Sequence, residues 1–199
     1  MHLFITQRAW NDLSGDEGRR RDFGTDGKEY FTQDDYEPDV LVEDALKDLS
    51  EELANMPCKQ KSALDKAMEI SPDYVRSLNF QLKFLRAEKF DARLAAVWMA
   101  LYVEEKLALF GEEKLARDIL LSDLNEDDME CLKSGYLQVL SDLDFGNRKV
   151  IFHYKALSDC YKERENLLRS FWYVTNALSA SEDVQKLGVV NVFTTSAAS

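Results

Sequence analysis

Phe84-Leu85-Arg86-Ala87-Glu88-Lys89-Phe90-Asp91-Ala92-Arg93-Leu94-Ala95 is the stretch on which the reading of the fold turns. It predicts a helix that ends at the Arg86-Ala87-Glu88 segment, a corner plugged by Phe90, and a second helix restarted by Asp91, whose short carboxylate can accept from the next orphan backbone N–H groups. A corner of this kind makes no chemistry of its own. The helix before the corner opens at Ser71-Pro72-Asp73, because Ser caps, Pro suits the first turn and Asp complements the helix dipole. Val75, Leu78, Leu82 and Leu85 share one face of this helix. The helix after the corner is expected to bury Leu94, Val97, Trp98, Leu101 and Ala108 and to stop at Gly111.

Further toward the N-terminus, Val42, Leu46, Leu49, Leu53 and Met56 recur every three or four residues after a candidate cap, Asp39, and Pro57 ends that run. Leu64, Ala67 and Met68 suggest a short second helix. Beyond Gly111, a helix is expected over Glu112 to Leu121, and a short one begins at Asn125-Glu126-Asp127-Asp128 and ends at Gly135. Residues 40–135 thus read as an all-α module. Residues 1–39, with several glycines and Arg19-Arg20-Arg21 among neighbouring acids, read as a flexible extension.

After Gly135 the period changes. Tyr136 to Leu140 and Lys149 to Tyr154 are strand-like, with Asp142 to Asn147 a turn-rich hairpin loop between them. Asp159 is expected to cap a long helix carrying Tyr161, Leu168, Phe171, Trp172, Thr175 and Leu178. The apolar run Leu187 to Phe193 then reads as a strand buried on both faces. Strand, helix, strand is a βαβ unit, so the class is α+β or α/β: an all-α module followed by a partial three-stranded α/β domain over 136–199.

The chain has 199 residues, 25 basic against 37 acidic side chains and a formal charge of −12. Residues 1–40 carry 5 basic and 10 acidic groups, 41–135 carry 13 and 20, and 136–199 carry 7 and 7. The excess lies in the first two thirds. No Lys/Arg cluster is placed to gather duplex phosphates, so nucleic acid is not an expected partner. No apolar run approaches the length of about 20 residues that spans a bilayer. A soluble, cytoplasmic protein, peripheral at membranes, is the expectation.

The sequence carries few groups placed for chemistry. Cys58, Cys131 and Cys160 are scattered without metal-ligand spacing and read as reduced, mostly buried, small apolar residues. His2 and His153 have no nucleophile context, and His153 reads as a satisfied strand residue. Asp123-Leu124-Asn125-Glu126-Asp127 resembles the start of a calcium loop, but Asp128 and Ser134 stand where Gly and Glu are needed. The acids there read as partners of a helix N-terminus. No catalytic residue, metal or cofactor is expected, and the chain is not read as an enzyme.

The stretch 84–95 resembles the "FLRARKFDVxxA" signature of the helical module that precedes the lipid-binding domain in the CRAL-TRIO family, with Phe84, Leu85, Arg86, Lys89, Phe90 and Asp91 as its structural residues. Gly135 to Leu140 followed by Asp144-Phe145-Gly146-Asn147-Arg148-Lys149-Val150 is similar to the family's first hairpin, where "D-x-x-G-R-P-V" is usual. Asn147 falls at the Gly position, where Asn tolerates a positive φ, and Lys149 at the Pro position. Gly188 to Phe193 is similar to the family's next strand. The resemblance covers about residues 40–194. It implies one hydrophobic ligand, such as phosphatidylinositol or another phospholipid, tocopherol or a retinoid, held for transfer in an apolar α/β pocket, with transient contact to a membrane surface. It also implies that the gate and most of the pocket belong to a C-terminal half absent here, so this form reads as truncated and not able to enclose a lipid alone. Val150, Phe152 and Tyr154 on one strand face, Val190 and Val192 on the next, and Trp172 on the crossover helix are the candidate pocket-wall residues. The competing expectation is a regulatory fragment in which the module docks on a partner and the strand Val189 to Phe193 offers an exposed edge to another protein.

Overall fold

A computed structural model describes residues 37–154 and 162–194. The expected N-terminal extension with its Arg19 to Arg21 patch, the Asp159 cap, Tyr161 and Cys160 lie outside the described residues. The order of elements is α1 (Asp39–Asn55), α2 (Ser62–Ile70), α3 (Pro72–Val75), α4 (Leu78–Ala87), α5 (Ala92–Phe110), α6 (Glu126–Lys133), β1 (Leu137–Val139), β2 (Lys149–His153), α7 (Arg164–Ser179), α8 (Glu182–Leu187) and β3 (Val189–Phe193). The protein is mostly helical with a small three-stranded mixed sheet, an α+β architecture.

The α1 stripe is as expected, with Leu49 buried and Val42, Leu46, Leu53 and Met56 packed against the same core. Its cap is Pro38, whose carbonyl accepts from Leu41 and Val42, while Asp39 sits in the first turn. The single helix expected from Ser71 is two. Ser77 interrupts it: its hydroxyl donates to the Tyr74 carbonyl at 2.8 Å and accepts from the Phe80 N–H, so the chain stops after Val75 and restarts at Leu78.

At the corner, Lys89 (φ 52°) and Phe90 (φ 64°) both take the left-handed conformation, and the Phe90 N–H donates to the Leu85 carbonyl at 2.7 Å. Asp91 then caps α5 by accepting from the Leu94 N–H at 3.0 Å. The face of α5 differs from the one expected. Leu94 (45%) and Val97 (41%) are exposed, Ala108 is exposed, and the buried residues are Ala95, Ala96, Met99, Ala100, Tyr102, Val103 and Lys106. This helix is apolar nearly all round, so its pattern does not select a face; small residues such as Ala95 and Ala96 let α5 pack closely against α1 and α2.

The expected helix over Glu112 to Leu121 is replaced by two 3-10 turns, Glu112–Lys114 and Leu121–Asp123. Between them Arg117 forms a fork with Asp123, at 2.7 Å for each contact, and Asp123 also accepts from the Leu120 N–H. Leu115, Ala116 and Ile119 meanwhile drop into the core. Arg117 holds the Asp123 carboxyl well below the usual carboxylate range.

In the sheet, β1 pairs antiparallel with β2, and β2 pairs parallel with β3 through the α7–α8 crossover. The strand order is β1-β2-β3, so among the described residues β3 lies at an edge. Helix α7 covers one face of the sheet, where Ile151, Val189 and Leu137 meet Leu167 and Phe171. The other face carries no described element of this core, and the expectation that β3 is buried on both sides is corrected: Val189 is buried while Val192 and Phe193 are exposed.

The hairpin loop is held by Asp144, and Asn147 adopts φ 58°. At such a position a β-branched side chain meets the backbone, at a cost of about 1–2 kcal/mol. Asn147→Val is therefore expected to lower stability by about that amount and Asn147→Gly to leave it within a few tenths of a kcal/mol, read from urea midpoints.

Candidate functional site

The β2–β3 register sets Val150 beside Val190 and Phe152 beside Val192. In a pleated sheet, cross-strand partners share a face and neighbours along the strand alternate, so these four residues point away from α7 while Ile151 and His153 point toward it. Val150, Phe152 and Val190 are half-buried, and Val192 and Tyr154 are exposed. The Phe152 and Tyr154 rings lie stacked with centroids 6.4 Å apart. Leu140 continues the surface, since its N–H donates to the Val150 carbonyl at 3.0 Å. The structure thus brings the five strand candidates onto one open apolar face.

Trp172 is not among them. It stacks on Tyr102 with centroids 4.5 Å apart and joins the core of the helical module. Its spacing along α7 placed it correctly on a buried face, but α7 has two buried faces, one toward the sheet and one toward α5.

The signature residues are placed apart from the open face and hold the corner. Phe84 and Leu85 are fully buried. Arg86 reaches Glu37 with two nitrogens, at 2.9 and 2.8 Å, and also Glu182 at 3.0 Å and Gln185 at 2.7 Å. It therefore ties α4 to the residues before α1 and to α8. Gln185 in turn donates to Asn79 at 3.0 Å.

His153 lies on the covered face, with its Nε2 2.9 Å from Asn191 Oδ1 and its ring stacked on Phe193 at 4.1 Å. Burial pulls its pKa below the ordinary imidazole value, against the smaller effect of Asn191. Its Nδ1 is buried and has no hydrogen-bond partner among the described residues, so within them the residue is only half satisfied. Cys131 is buried but Cys58 is exposed, a correction for the latter.

Two features were missed in the sequence. Lys83 and Lys106 are buried in an aromatic cluster. Lys83 Nζ lies 4.3 Å from the Tyr102 ring centroid and 4.9 Å from that of Phe80, and it donates to Tyr102 Oη at 3.3 Å and Asn176 Oδ1 at 3.4 Å. Lys106 donates to the Arg117 carbonyl and to Tyr74 Oη. Burial lowers Lys83 to about 7, with the neighbouring Lys106 ammonium adding to the effect, and lowers Lys106 to about 8. The second feature is Asp128, read as a dipole partner but 1% exposed, with its carboxylate between Asn125, Asn166 and Arg169.

Among the described residues, no three His, Cys, Asp or Glu side chains are grouped to hold a metal ion, and no helix is long and apolar enough to cross a membrane. No protein-family model matches the chain, and no curated protein matches it.

Proposed function

We propose that the chain is a non-enzymatic lipid-binding protein of the CRAL-TRIO type, in which the open sheet face forms one wall against a single hydrophobic ligand. The observation that carries this reading is the register: Val150, Phe152, Val190 and Val192 stand side by side on the face that α7 leaves uncovered. Burying apolar ligand surface stabilises a complex by about 25 cal/mol per Å², so a wall of this kind contributes affinity without any reacting group. The signature corner and the asparagine-turned hairpin support the same assignment through the resemblance described above.

Organic-solvent extraction of the purified chain, read by mass spectrometry, tests whether this open wall holds a lipid without a closed pocket around it; about one lipid per protein is the result the reading expects. A folded, lipid-free protein would count against the reading.

A second reading rests on β3, which among the described residues has a strand partner on one side only and exposes Val192 and Phe193. An unprotected apolar edge is a template for strand addition by another protein. Light scattering on concentrated protein separates the two, because strict monomers argue against an edge that pairs.

A further inference from the structure

Phe145 stands at the tip of the β1–β2 hairpin and is 111% exposed, more open than the same ring in an extended peptide. The loop that carries it is locked. Asp144 Oδ1 accepts from the Gly146 and Arg148 N–H groups at 2.9 and 2.8 Å, its Oδ2 accepts from the Arg148 guanidinium at 2.8 and 2.6 Å, and the Asn147 N–H closes on the Asp144 carbonyl at 3.0 Å. A side chain at Gly146 would press on Arg148 at 3.3 Å, so the turn is packed around its own ion pair. An aromatic ring held out in water on a preorganised loop gains nothing for the fold.

We propose that this tip is a bilayer contact, in which Phe145 and the neighbouring exposed Leu143 enter the interface of a zwitterionic membrane. Shape and charge select this occupant. The tip is convex, and a bilayer accepts a convex apolar tip without a matching pocket. Asp144 and Arg148 neutralise one another, and Asp142 and Lys149 flank the loop in sequence with opposite charges, so among the described residues the loop carries no net positive charge to draw anionic lipid. The chain's charge of −12 opposes an anionic surface. The tip belongs to the same hairpin as the open face: Leu143 stands three residues after exposed Leu140, whose N–H donates to Val150, and Val150 lies beside Val190. The inference rests on the lipid-binding reading in that one hairpin carries both the bilayer contact and part of the proposed wall.

The test is flotation of the full chain with phosphatidylcholine vesicles at millimolar lipid, comparing wild type, Phe145→Asp, Phe145→Trp and Val190→Asp, with circular dichroism to confirm folding. Wild type and Phe145→Trp are expected to float alike. Phe145→Asp is expected to lower the partition coefficient at least tenfold, the scale of burying one aromatic side chain. Adding phosphatidylserine is expected to weaken binding, most at low salt. A wild-type protein that stays with the dense fraction, or a Phe145→Asp protein that floats like wild type, overturns the proposal. Val190→Asp lies away from the tip and is expected to float while losing bound lipid, so failure of the tip and failure of the lipid wall are read separately.

Discussion

Asp128→Ala is expected to destabilise the protein by about 3–5 kcal/mol, the cost of breaking an ion pair whose carboxylate is buried and whose Arg169 partner is partly so. The carboxylate is 1% exposed and accepts from the Arg169 guanidinium at 2.9 Å, the Asn166 amide at 2.8 Å and the Asn125 N–H at 3.1 Å. The same residue's N–H donates to Asn125 Oδ1 at 2.8 Å, and its carbonyl accepts from Ser170 at 3.0 Å. Removing the carboxylate therefore strands three donors and loosens the contact between α6 and α7 at once. For a chain of this size such a loss lowers Tm by about 10 °C. An acid that merely complemented the start of α6 would contribute only about 0.3–1 kcal/mol, so the thermal shift decides between the two roles. The double variant Asp128→Ala with Arg169→Met is expected to recover part of the loss, because the unpaired charge goes with its partner.

Stability is expected to rise with pH between 6 and 9, by about 4 kcal/mol, because of Lys83 and, to a smaller extent, Lys106. The sign follows from where the protons sit. An unfolded lysine keeps its proton to about pH 10.4, whereas burial brings Lys83 to about 7 and Lys106 to about 8. Between those values the unfolded state binds more protons, so raising the pH favours the folded state. Below about pH 7 both states carry the Lys83 proton and the gain is gone. Tyr74, raised by burial and by Asp118, titrates in the opposite sense only at more alkaline pH. Lys83→Met keeps the aliphatic stem among Phe80, Phe84 and Tyr102 and removes the ammonium, and Tyr102 Oη still donates to Asn176 at 2.6 Å. The variant is expected to be more stable than wild type at pH 6 by about 1–3 kcal/mol and to lose most of the pH dependence, read by urea unfolding at pH 6 through 9. A pH dependence that survives Lys83→Met unchanged would assign the effect to Lys106 alone.

What the sequence revealed and what it hid follow one physical line. Local signals were legible: the Asp91 cap, the stripe of α1, the Asn125 start of α6 and the turn at Asn147 each depend on residues within a few positions of one another. The break at Ser77 was hidden because Ser71-Pro72-Asp73 is the louder start signal, and a hydroxyl that caps four residues later cannot be told from one facing water. The buried face of α5 was hidden because Leu94 and Val97 are as apolar as Met99 and Val103, and only the close approach of α1 and α2 selects between them. Lys83, Lys106 and Asp128 were unreadable because their partners lie far along the chain: Asn176 is 93 residues from Lys83, and Arg169 is 41 from Asp128. In the candidate site, strand alternation placed Val150, Phe152, Val190 and Val192 on shared faces. It did not say which face the crossover helix would cover, and that decided the separation of Trp172 from the others.

The reading of the open sheet face as a lipid wall is tested most directly by titrating the chain with a pyrene-labelled phosphatidylcholine, wild type beside Val190→Asp. Saturable binding near one probe per chain, weakened at least tenfold by the substitution, is the predicted result. Absence of saturable binding, or equal binding by the two proteins, would contradict it.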